Sequence, residues 1–428
     1  MIQINYNKKL DIIGEYDVAV IGGGPGGVCA AIAAARNGAK TVLIERTGML
    51  GGMATSGLVG PFMTCYNQSG TMQIVKGLFE EIVERTVKEQ GCLHPSEIKP
   101  KTRYTSYIDK YHSNVTPFNS AVLQKVLDDM VTESGCEILL YSQYVDSILD
   151  ENKIKTAIFA VPGGLAGINA KIFIDSTSSA DVAAKSGVEV WLGDENSGIP
   201  QPATLFFEID NVNDAEYLTK GKHKAYLSNE AGRYKVNDRR VFGVDATDVR
   251  SVTNGHIQGR KYVFESFDAM RSTMPGFENI KLVQIASVLG IRESRHVRGK
   301  YVLTVKDVCE NTHFDDAVVT FGYGMDVHSR DGKMKGGFHG ESADWYTIPY
   351  RCLLPVGCDN LLIAAKTISA ESQAAGSFRV IPACMAIGQA AGSAAAIALG
   401  DNTTVSDISV KKLQDLLIKQ DAVILGVE

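Results

Sequence analysis

The chain has 428 residues, of which 45% are hydrophobic and 21% charged, the composition of an ordinary globular protein with room for more than one structural unit. Its formal net charge of −6 argues against nucleic-acid binding, because no excess of lysine and arginine is offered to phosphates. The eight cysteines include no C-x-x-C pair and no zinc spacing, so we expect free thiols, no metal site and a cytoplasmic location. No signal core is visible, and we expect no apolar run long enough to cross a membrane.

The first patterned segment predicts a β-turn-α-β unit. A short buried strand over 16–21 runs directly into the glycine-rich turn 22–27. A helix of small residues follows and is predicted to stop at Gly38, after which a second strand is predicted over 41–45. This order is the context in which a glycine-rich turn binds a dinucleotide.

Within that unit, Gly22, Gly24 and Gly27 complete the pattern G-x-G-x-x-G, and Glu45 stands near the end of the second strand. Gly22 suits the tight turn, Gly24 lets the backbone approach a pyrophosphate, and Gly27 lets the helix lie close to the sheet. The helix N-terminus carries partial positive charge that favours phosphates. Glu45 is predicted to accept hydrogen bonds from the adenosine ribose.

A second glycine cluster over 51–57 favours FAD over NAD as the dinucleotide. A further close approach of the backbone, soon after the ribose-binding acid, suits a ligand that runs on beneath the sheet edge. A flexible loop is the alternative, but it fits less well with the number of glycines and with the hydroxyls of Thr55 and Ser56.

The remaining pattern predicts further elements of an α/β protein. Helices are expected over 77–90 and 119–134, strands over 137–141, 147–160, 168–174 and 360–364, with a turn at 162–164, and a long helix over 382–399. From residue 191 to about residue 345 the hydrophobic pattern is less regular, because polar segments alternate with short apolar ones. We therefore predict a discontinuous, Rossmann-like FAD-binding domain made of 1–190 and 346–428, with an inserted α+β substrate domain over 191–345.

The same segments resemble the FAD-dependent oxidoreductase family with a glutathione-reductase-like FAD domain, related to fumarate reductase flavoproteins and thiazole synthases. The stretch beginning YDVAVIGGGPGG and the C-terminal segments NLLIAAKTISA and GSFRVIPACMAIGQAAG are similar to its FAD motifs. Two departures are visible: Ser178 stands where the family commonly has glycine, and Ala365-Lys366 replaces the usual Gly-Arg. The resemblance implies bound FAD and supports the cofactor better than the reaction.

The predicted cofactor-binding residues lie in or beside these motifs. They are Gly22, Gly24, Pro25, Gly26, Gly27, Glu45, Arg46, Gly51, Gly52, Met53, Thr55, Ser56, Tyr144, Val145, Arg379, Pro382, Cys384 and Met385. Pro382 suits the first turn of the C-terminal helix, whose N-terminus would favour negative charge on a reduced flavin. A tightly packed alanine-rich core helix is the alternative, and both interpretations can hold together.

Four residues are candidates for the chemistry: Arg351, His328, Arg292 and Arg295. Arginines near a flavin commonly fix carboxylates, and a histidine can move a proton at neutral pH. We expect Arg351 to face the substrate, because it lies in IPYRCLLP beside a flavin-flanking segment. For each of the four, a surface ion pair or a satisfied hydrogen bond is the alternative.

These observations predict an oxidoreductase that transfers a hydride between a small organic substrate and bound FAD, since the flavin performs the redox chemistry. Only one dinucleotide fingerprint is visible, so a separate electron carrier is expected to serve the flavin. A flavoprotein oxidase that uses oxygen, or a non-catalytic FAD-binding protein, remain the alternatives.

Overall fold

The computed structural model describes residues 4, 7–98, 114–213, 225–332, 337–340 and 342–427. Residues 91–115, whose polar and irregular sequence predicts an excursion over the active site, lie partly outside these residues. The predicted α/β class and Rossmann-like FAD domain are confirmed by a mixed structure whose main sheet is largely parallel.

The main sheet combines strands from both ends of the chain. Its strands are β1 (Asp11–Ile21), β2 (Thr41–Ile44), β3 (Glu137–Leu139), β4 (Gln143–Asp150), β5 (Lys153–Val161), β6 (Gly164–Asp175) and β17 (Leu361–Ile363). The order is β3-β2-β1-β6-β5-β4, and β17 lies parallel to the last residues of β6. The strands β2 and β17 are short, fully buried runs, as expected of parallel strands that are covered on both faces.

One predicted strand is wrong. The segment 147–160 forms two antiparallel strands, β4 and β5, that reverse direction at Glu151 and Asn152. Glu151 takes a left-handed backbone conformation with φ 52°. No glycine or proline marks this turn, so the sequence pattern predicts one strand where the structure has two.

Six helices pack in the same core as the main sheet. They are α1 (Pro25–Arg36), α2 (Leu78–Lys88), α3 (Ser120–Glu133), α4 (Asp181–Lys185), α8 (Ile381–Gly400) and α9 (Val410–Lys419). Helices α1 and α8 lie almost backbone to backbone, because a Cβ on Gly388 would stand 2.0 Å from the carbonyl oxygen of Gly26. The two ends of the chain therefore meet directly at the start of α1.

A second core is built on an antiparallel sheet of four strands in the order β11-β8-β10-β9. The strands are β8 (Phe207–Asp210), β9 (Ala225–Leu227), β10 (Tyr234–Val236) and β11 (Lys281–Ile285), and the long helix α5 (Val249–Thr273) packs with them. Apart from Leu58, the buried residues of this core lie between Ala203 and Leu289.

The rest of the predicted insertion packs on the main core. It comprises β7 (Val190–Leu192) paired with β12 (Arg295–Val297), β14 (Met325–His328) paired with β15 (Gly337–Gly340), and the helix α6 (Val305–Glu310). The strand β13 (Ala317–Phe321) pairs with β16 (Tyr346–Pro349), which follows the predicted insertion, as does the helix α7 (Ser372–Phe378). Since Val297 and Val319 belong to the main core, the second core is narrower than the predicted 191–345.

Helix α8 also corrects an expectation about membranes. By length and hydropathy alone it could cross a bilayer, so the statement that no apolar run is long enough was wrong. However, 78% of its apolar window is buried inside the protein, which is typical of a core helix.

Candidate functional site

A large cleft opens where the carboxyl ends of β1, β2 and β6 meet the N-termini of α1 and α8. Its empty space, part of which is open to solvent, is about 1110 Å³. Its lining includes Ile21, Gly22, Gly24, Pro25, Gly26, Glu45, Arg46, Gly52, Met53, Ser56, Tyr144, Ser176, Thr177, Asp181, Val288, Lys366, Arg379, Ile381 and Cys384. This is the edge at which open α/β sheets bind their ligands.

The fingerprint glycines differ in what surrounds them. A Cβ on Gly27 would lie 1.8 Å from the carbonyl oxygen of Gly22, and a Cβ on Gly26 would lie 2.0 Å from that of Ala364. Gly22 itself has φ 105°, which suits a tight turn. At Gly24, in contrast, a Cβ meets nothing within 4 Å, so its missing side chain leaves space in the cleft and not in the protein interior.

Glu45 lies at one end of the cleft and is buried. Its carboxylate accepts hydrogen bonds from the backbone N–H of Gly23 at 2.7 Å and from the N–H and hydroxyl of Thr47 at 2.8 and 2.9 Å. These bonds hold the carboxylate beside the glycine-rich turn. Of the other residues predicted at this end, Arg46 and Tyr144 line the cleft, whereas Val145 is not among the lining residues and lies in a β-bulge.

The second glycine cluster contributes to the cleft through only some of its residues. Gly52, Met53 and Ser56 line it. Gly51 and Thr55 instead shape the loop: Gly51 has φ 94° and donates its N–H to Gly23 O at 2.8 Å, and the Thr55 hydroxyl donates to Leu50 O at 2.5 Å. The two glycine clusters are thus tied together by a backbone hydrogen bond.

The opposite end of the cleft is formed by the segment before α8. Arg379 is 9% exposed and donates to the backbone oxygen and carboxylate of Asp326 at 2.7 and 3.0 Å. Cys384 lines the cleft, while Pro382 and Met385 belong to the same helix without being among its lining residues. Burial raises the pKa of the Cys384 thiol to about 12, which keeps it protonated.

A small polar chamber adjoins this end and shares Lys366 and Arg379 with the cleft. Arg292 and Arg295 line it, but both hold protein groups: Arg292 donates to Pro202 O and Thr204 Oγ1, and Arg295 pairs with Asp181 at 2.9 Å. Three buried polar atoms of its lining residues have no hydrogen-bond partner in the described part of the chain: Ser294 Oγ, His296 Nδ1 and Thr367 Oγ1.

His328 is not among the residues that line the cleft or the polar chamber, and its role in proton transfer stays a prediction. Burial lowers its pKa to about 3, with help from the charges of Arg292 and Arg240, although Asp326 at 3.4 Å acts in the opposite sense. The imidazole is therefore neutral throughout the physiological range, and it does not switch its charge near pH 7.

Arg351 lies away from the cleft lining, contrary to the expectation that it faces the substrate. Its side chain is 46% exposed and forms a two-pronged ion pair with Asp316, at 2.8 and 3.0 Å. The guanidinium also covers the ring of Tyr301. The surface ion pair, which was the alternative for this residue, describes its position.

Sequence reasoning missed the loop after β6, where Ser176 and Thr177 line the cleft. Asp175 is fully buried and organises this loop, accepting from the backbone N–H groups of Thr177 and Ala183 at 2.9 Å. Burial raises the pKa of Asp175 to about 6. The signal was available, because the segment FIDSTSSADV resembles a family motif and Ser178 within it was noted as a departure from that motif. Ser178 also lines the cleft, but no residue of the segment was predicted to bind the cofactor.

Comparison with known proteins identifies the family of the chain. The family described as FAD dependent oxidoreductase matches residues 17–417. The chain belongs to this family. The oxidoreductase is therefore an enzyme that depends on FAD, and the predicted cofactor and family resemblance are confirmed.

Individual relatives are similar only over short segments. A mitochondrial dihydrolipoyl dehydrogenase of Schizosaccharomyces pombe is 44% identical over 71 residues, which is 17% of this chain and 14% of that enzyme. A soluble pyridine nucleotide transhydrogenase of Mycobacterium tuberculosis is 38% identical over 91 residues, 21% of this chain and 17% of that enzyme. The oxidoreductase thus spans less than a fifth of the curated relatives that it matches.

Solved structures match over more of the chain but at low identity. A geranylgeranyl bacteriochlorophyll reductase-like protein of Thermoplasma acidophilum has a TM-score of 0.48 and 16% identity, covering 96% of this chain and 84% of its own. A flavin-dependent brominase has a TM-score of 0.49 and 12% identity, covering 95% and 83%. Likeness at this level does not indicate which reaction the oxidoreductase catalyses.

Proposed function

We propose that the oxidoreductase transfers a hydride between a small organic substrate and bound FAD. The observation that supports this most is the single cleft that runs from Glu45, past the glycine-rich turn, to Arg379 and Lys366. It provides a carboxylate for the ribose, clearance for the pyrophosphate and a charged far end for the flavin ring and substrate. FAD, when bound, would accept or give the hydride.

The residues of the cleft fit FAD from one end to the other. The first turn of α1 has no side-chain cap, so its backbone N–H groups face the space left open at Gly24 and are available to a pyrophosphate. Glu45 would hold the adenosine ribose through carboxylate oxygens. The flavin ring would then lie toward Cys384 and Lys366, at the end farthest from Glu45.

The substrate would enter beside the second core. Val288, next to the buried Leu289 of that core, lines the cleft together with Met53 and Arg379. An apolar wall with one buried arginine suits a small molecule that carries a carboxylate or carbonyl group, because a guanidinium binds such groups through parallel hydrogen bonds. In this proposal Arg379 takes the role that the sequence analysis gave to Arg351.

The electron partner is a separate carrier in this proposal, because the sequence carries one dinucleotide fingerprint. The chemistry would then have two half-reactions, in which the substrate reduces the flavin and the carrier removes the electrons, or the reverse. Oxygen as the final acceptor would make the protein an oxidase.

The test is reduction of the flavin without oxygen. FAD-loaded protein is mixed anaerobically with a panel of small hydroxy acids, amino acids, alcohols and amines, and loss of the visible flavin absorbance is followed. We expect at least one compound to bleach the flavin within seconds to minutes. Rapid return of the colour in air would identify an oxidase, whereas bleaching by dithionite and by no organic compound would contradict the proposal.

A further inference from the structure

Lys366 stands between the FAD cleft and the polar chamber behind it, and lines both. It follows β17 by three residues, so the strand that joins the C-terminal segment to the main sheet also places this side chain. Its ammonium group donates to the backbone oxygen of Ile291. A titratable amine is thus held at the boundary between the cleft and the chamber.

The charges that face Lys366 come from every element around it. Arg379 precedes α8, Cys384 lies on α8, and Arg292 and Glu293 precede β12. Arg295 and His296, on β12, line the chamber on the same side. Burial is the largest cause that lowers the pKa of Lys366, to about 8, followed by the positive charge of Arg379; Cys384 and Glu293 act in the opposite sense.

We propose that Lys366 is a positioning residue that couples the uptake of one proton to the reduction of the bound FAD. The proposal rests on the proposed function, in that the flavin ring lies at the Lys366 end of the cleft. The family resemblance has arginine at this position, and an arginine stays protonated at every pH at which the protein is folded. Lysine makes the charge beside the ring variable.

The number of protons taken up on reduction depends on whether Lys366 is charged beforehand. Oxidised FAD takes two electrons from the reductant and one proton, which leaves the reduced flavin with one additional negative charge. That charge stabilises the ammonium form of the nearby amine, so neutral Lys366 takes a second proton from solvent. Reduction then consumes two protons where Lys366 is neutral beforehand, and one where it is already charged.

The experiment measures the midpoint potential of the FAD-loaded protein electrochemically, with mediator dyes, from pH 6 to pH 9.5. The slope against pH gives the number of protons taken up per flavin. In the native protein we expect this number to rise by up to one above about pH 8. Lys366→Arg keeps the positive charge and should show no such rise. Lys306→Met, a change at a 75% exposed lysine, is the matched control and should behave as the native protein does.

Equal slopes in the native protein and in Lys366→Arg at every pH would overturn the proposal. Lys366→Met gives a second readout, because losing the cation should lower the potential at pH 7 while also removing the rise. The electrode reduces the flavin whether or not any metabolite does. A failure of this proposal is therefore distinguishable from a failure of the proposed function.

Discussion

At the scale of single residues, Gly24 and Gly26 lie two positions apart, and the protein has room for a side chain at Gly24 but not at Gly26. Gly24 has φ −69°, which alanine readily adopts, and a Cβ there meets no protein atom within 4 Å. We expect Gly24→Ala to leave the unfolding temperature of the FAD-free protein unchanged. The methyl group would nevertheless occupy the space of the pyrophosphate, weakening FAD binding by about tenfold or more, or roughly 1.4 kcal/mol.

Gly26→Ala is the matched comparison, because its Cβ would collide with the carbonyl oxygen of Ala364 at 2.0 Å. Overpacking of this kind costs about 1–3 kcal/mol, so the unfolding temperature should fall with or without FAD. Fluorescence titration of FAD and thermal unfolding of both variants separate the two effects. Native FAD affinity in Gly24→Ala would show that the pyrophosphate lies elsewhere.

The contrast between Arg379 and Arg351 gives a second residue-scale prediction. Arg379 lines the cleft at 9% exposure, whereas Arg351 is exposed and paired with Asp316. An exposed ion pair contributes about 0–1 kcal/mol, so Arg351→Lys should reduce flavin reduction by the substrate only slightly. Arg379→Lys should slow it by roughly ten- to a hundredfold, the value of a charge-assisted hydrogen bond.

Stopped-flow reduction of the flavin, with the compound that bleaches it, measures both rates, and dithionite reduction checks that the flavin is intact. The deciding result is which of the two variants shows the slower reduction of the flavin. A larger loss in Arg351→Lys would return Arg351 to the substrate site and remove Arg379 from it.

At the scale of secondary-structure elements, the contact of α1 with α8 determines where the cleft forms. Gly392 faces the carbonyl oxygen of Ala30 so closely that a Cβ would stand 2.1 Å from it. Gly400, at the end of the same helix, has no atom within 4 Å of a Cβ. The two glycines therefore form a matched pair in one element.

Gly392→Ala should destabilise the protein by about 1–3 kcal/mol, because α1 must move away from α8. Gly400→Ala should be neutral or slightly stabilising, by up to about 1 kcal/mol, since alanine favours a helix over glycine. Urea unfolding at one pH measures both. Similar unfolding midpoints in the two variants would mean that the helices separate at little cost.

The sequence predicted the elements of the FAD domain because their local signals agree with the packing. Helix α1 begins at Pro25, and Gly38, with φ 94°, follows its end. Helix α5 was not predicted, because it carries Gly255 and Gly259 in its middle and polar residues around much of its surface. The small size of Gly255 and Gly259 is needed where Val244 and Leu205 pack against the helix. This packing can be seen only in the three-dimensional structure.

Site residues could be predicted from the sequence where they belong to a backbone motif. Gly24 and Glu45 belong to such a motif and line the cleft. Lys366 was noted only because it departs from such a motif. His328 was expected to transfer a proton at neutral pH because its burial could not be derived from the sequence. Side-chain direction and desolvation depend on residues far away in sequence, so they could not be derived from spacing.

At the scale of the whole molecule, the two cores are joined by a buried lysine. Lys235 lies on β10 of the second sheet, is 3% exposed, and donates to Phe118 O and Ser120 Oγ at the start of α3, at 3.2 and 2.7 Å. Glu208 is its partner on the neighbouring strand. Burial lowers the pKa of Lys235 to about 8 from its usual 10.5, although Glu208 acts in the opposite sense.

This lysine gives the stability of the protein a defined dependence on pH. Below about pH 8 it is protonated in both the folded and the unfolded chain, so it adds no slope. Between pH 8 and 10.5 the unfolded chain binds one more proton than the folded one, and the free energy of unfolding therefore rises with pH, by at most about 1.4 kcal/mol per unit. Buried thiols act in the opposite sense above pH 9, and they are common to all variants.

Lys235→Met should remove this contribution. We expect the difference in unfolding free energy between the native protein and Lys235→Met to move in favour of the native protein by up to about 1 kcal/mol as the pH rises from 7.5 to 9. Lys281→Met, at an exposed lysine of the same sheet, should show a difference that does not change with pH. Urea unfolding at four pH values measures these differences in unfolding free energy. Lys366 contributes equally to all three proteins, so its effect cancels in the differences. A difference for Lys235→Met that stays constant with pH would show that the lysine keeps its proton in the folded protein, and that the contact between the two cores is an ordinary charged hydrogen bond.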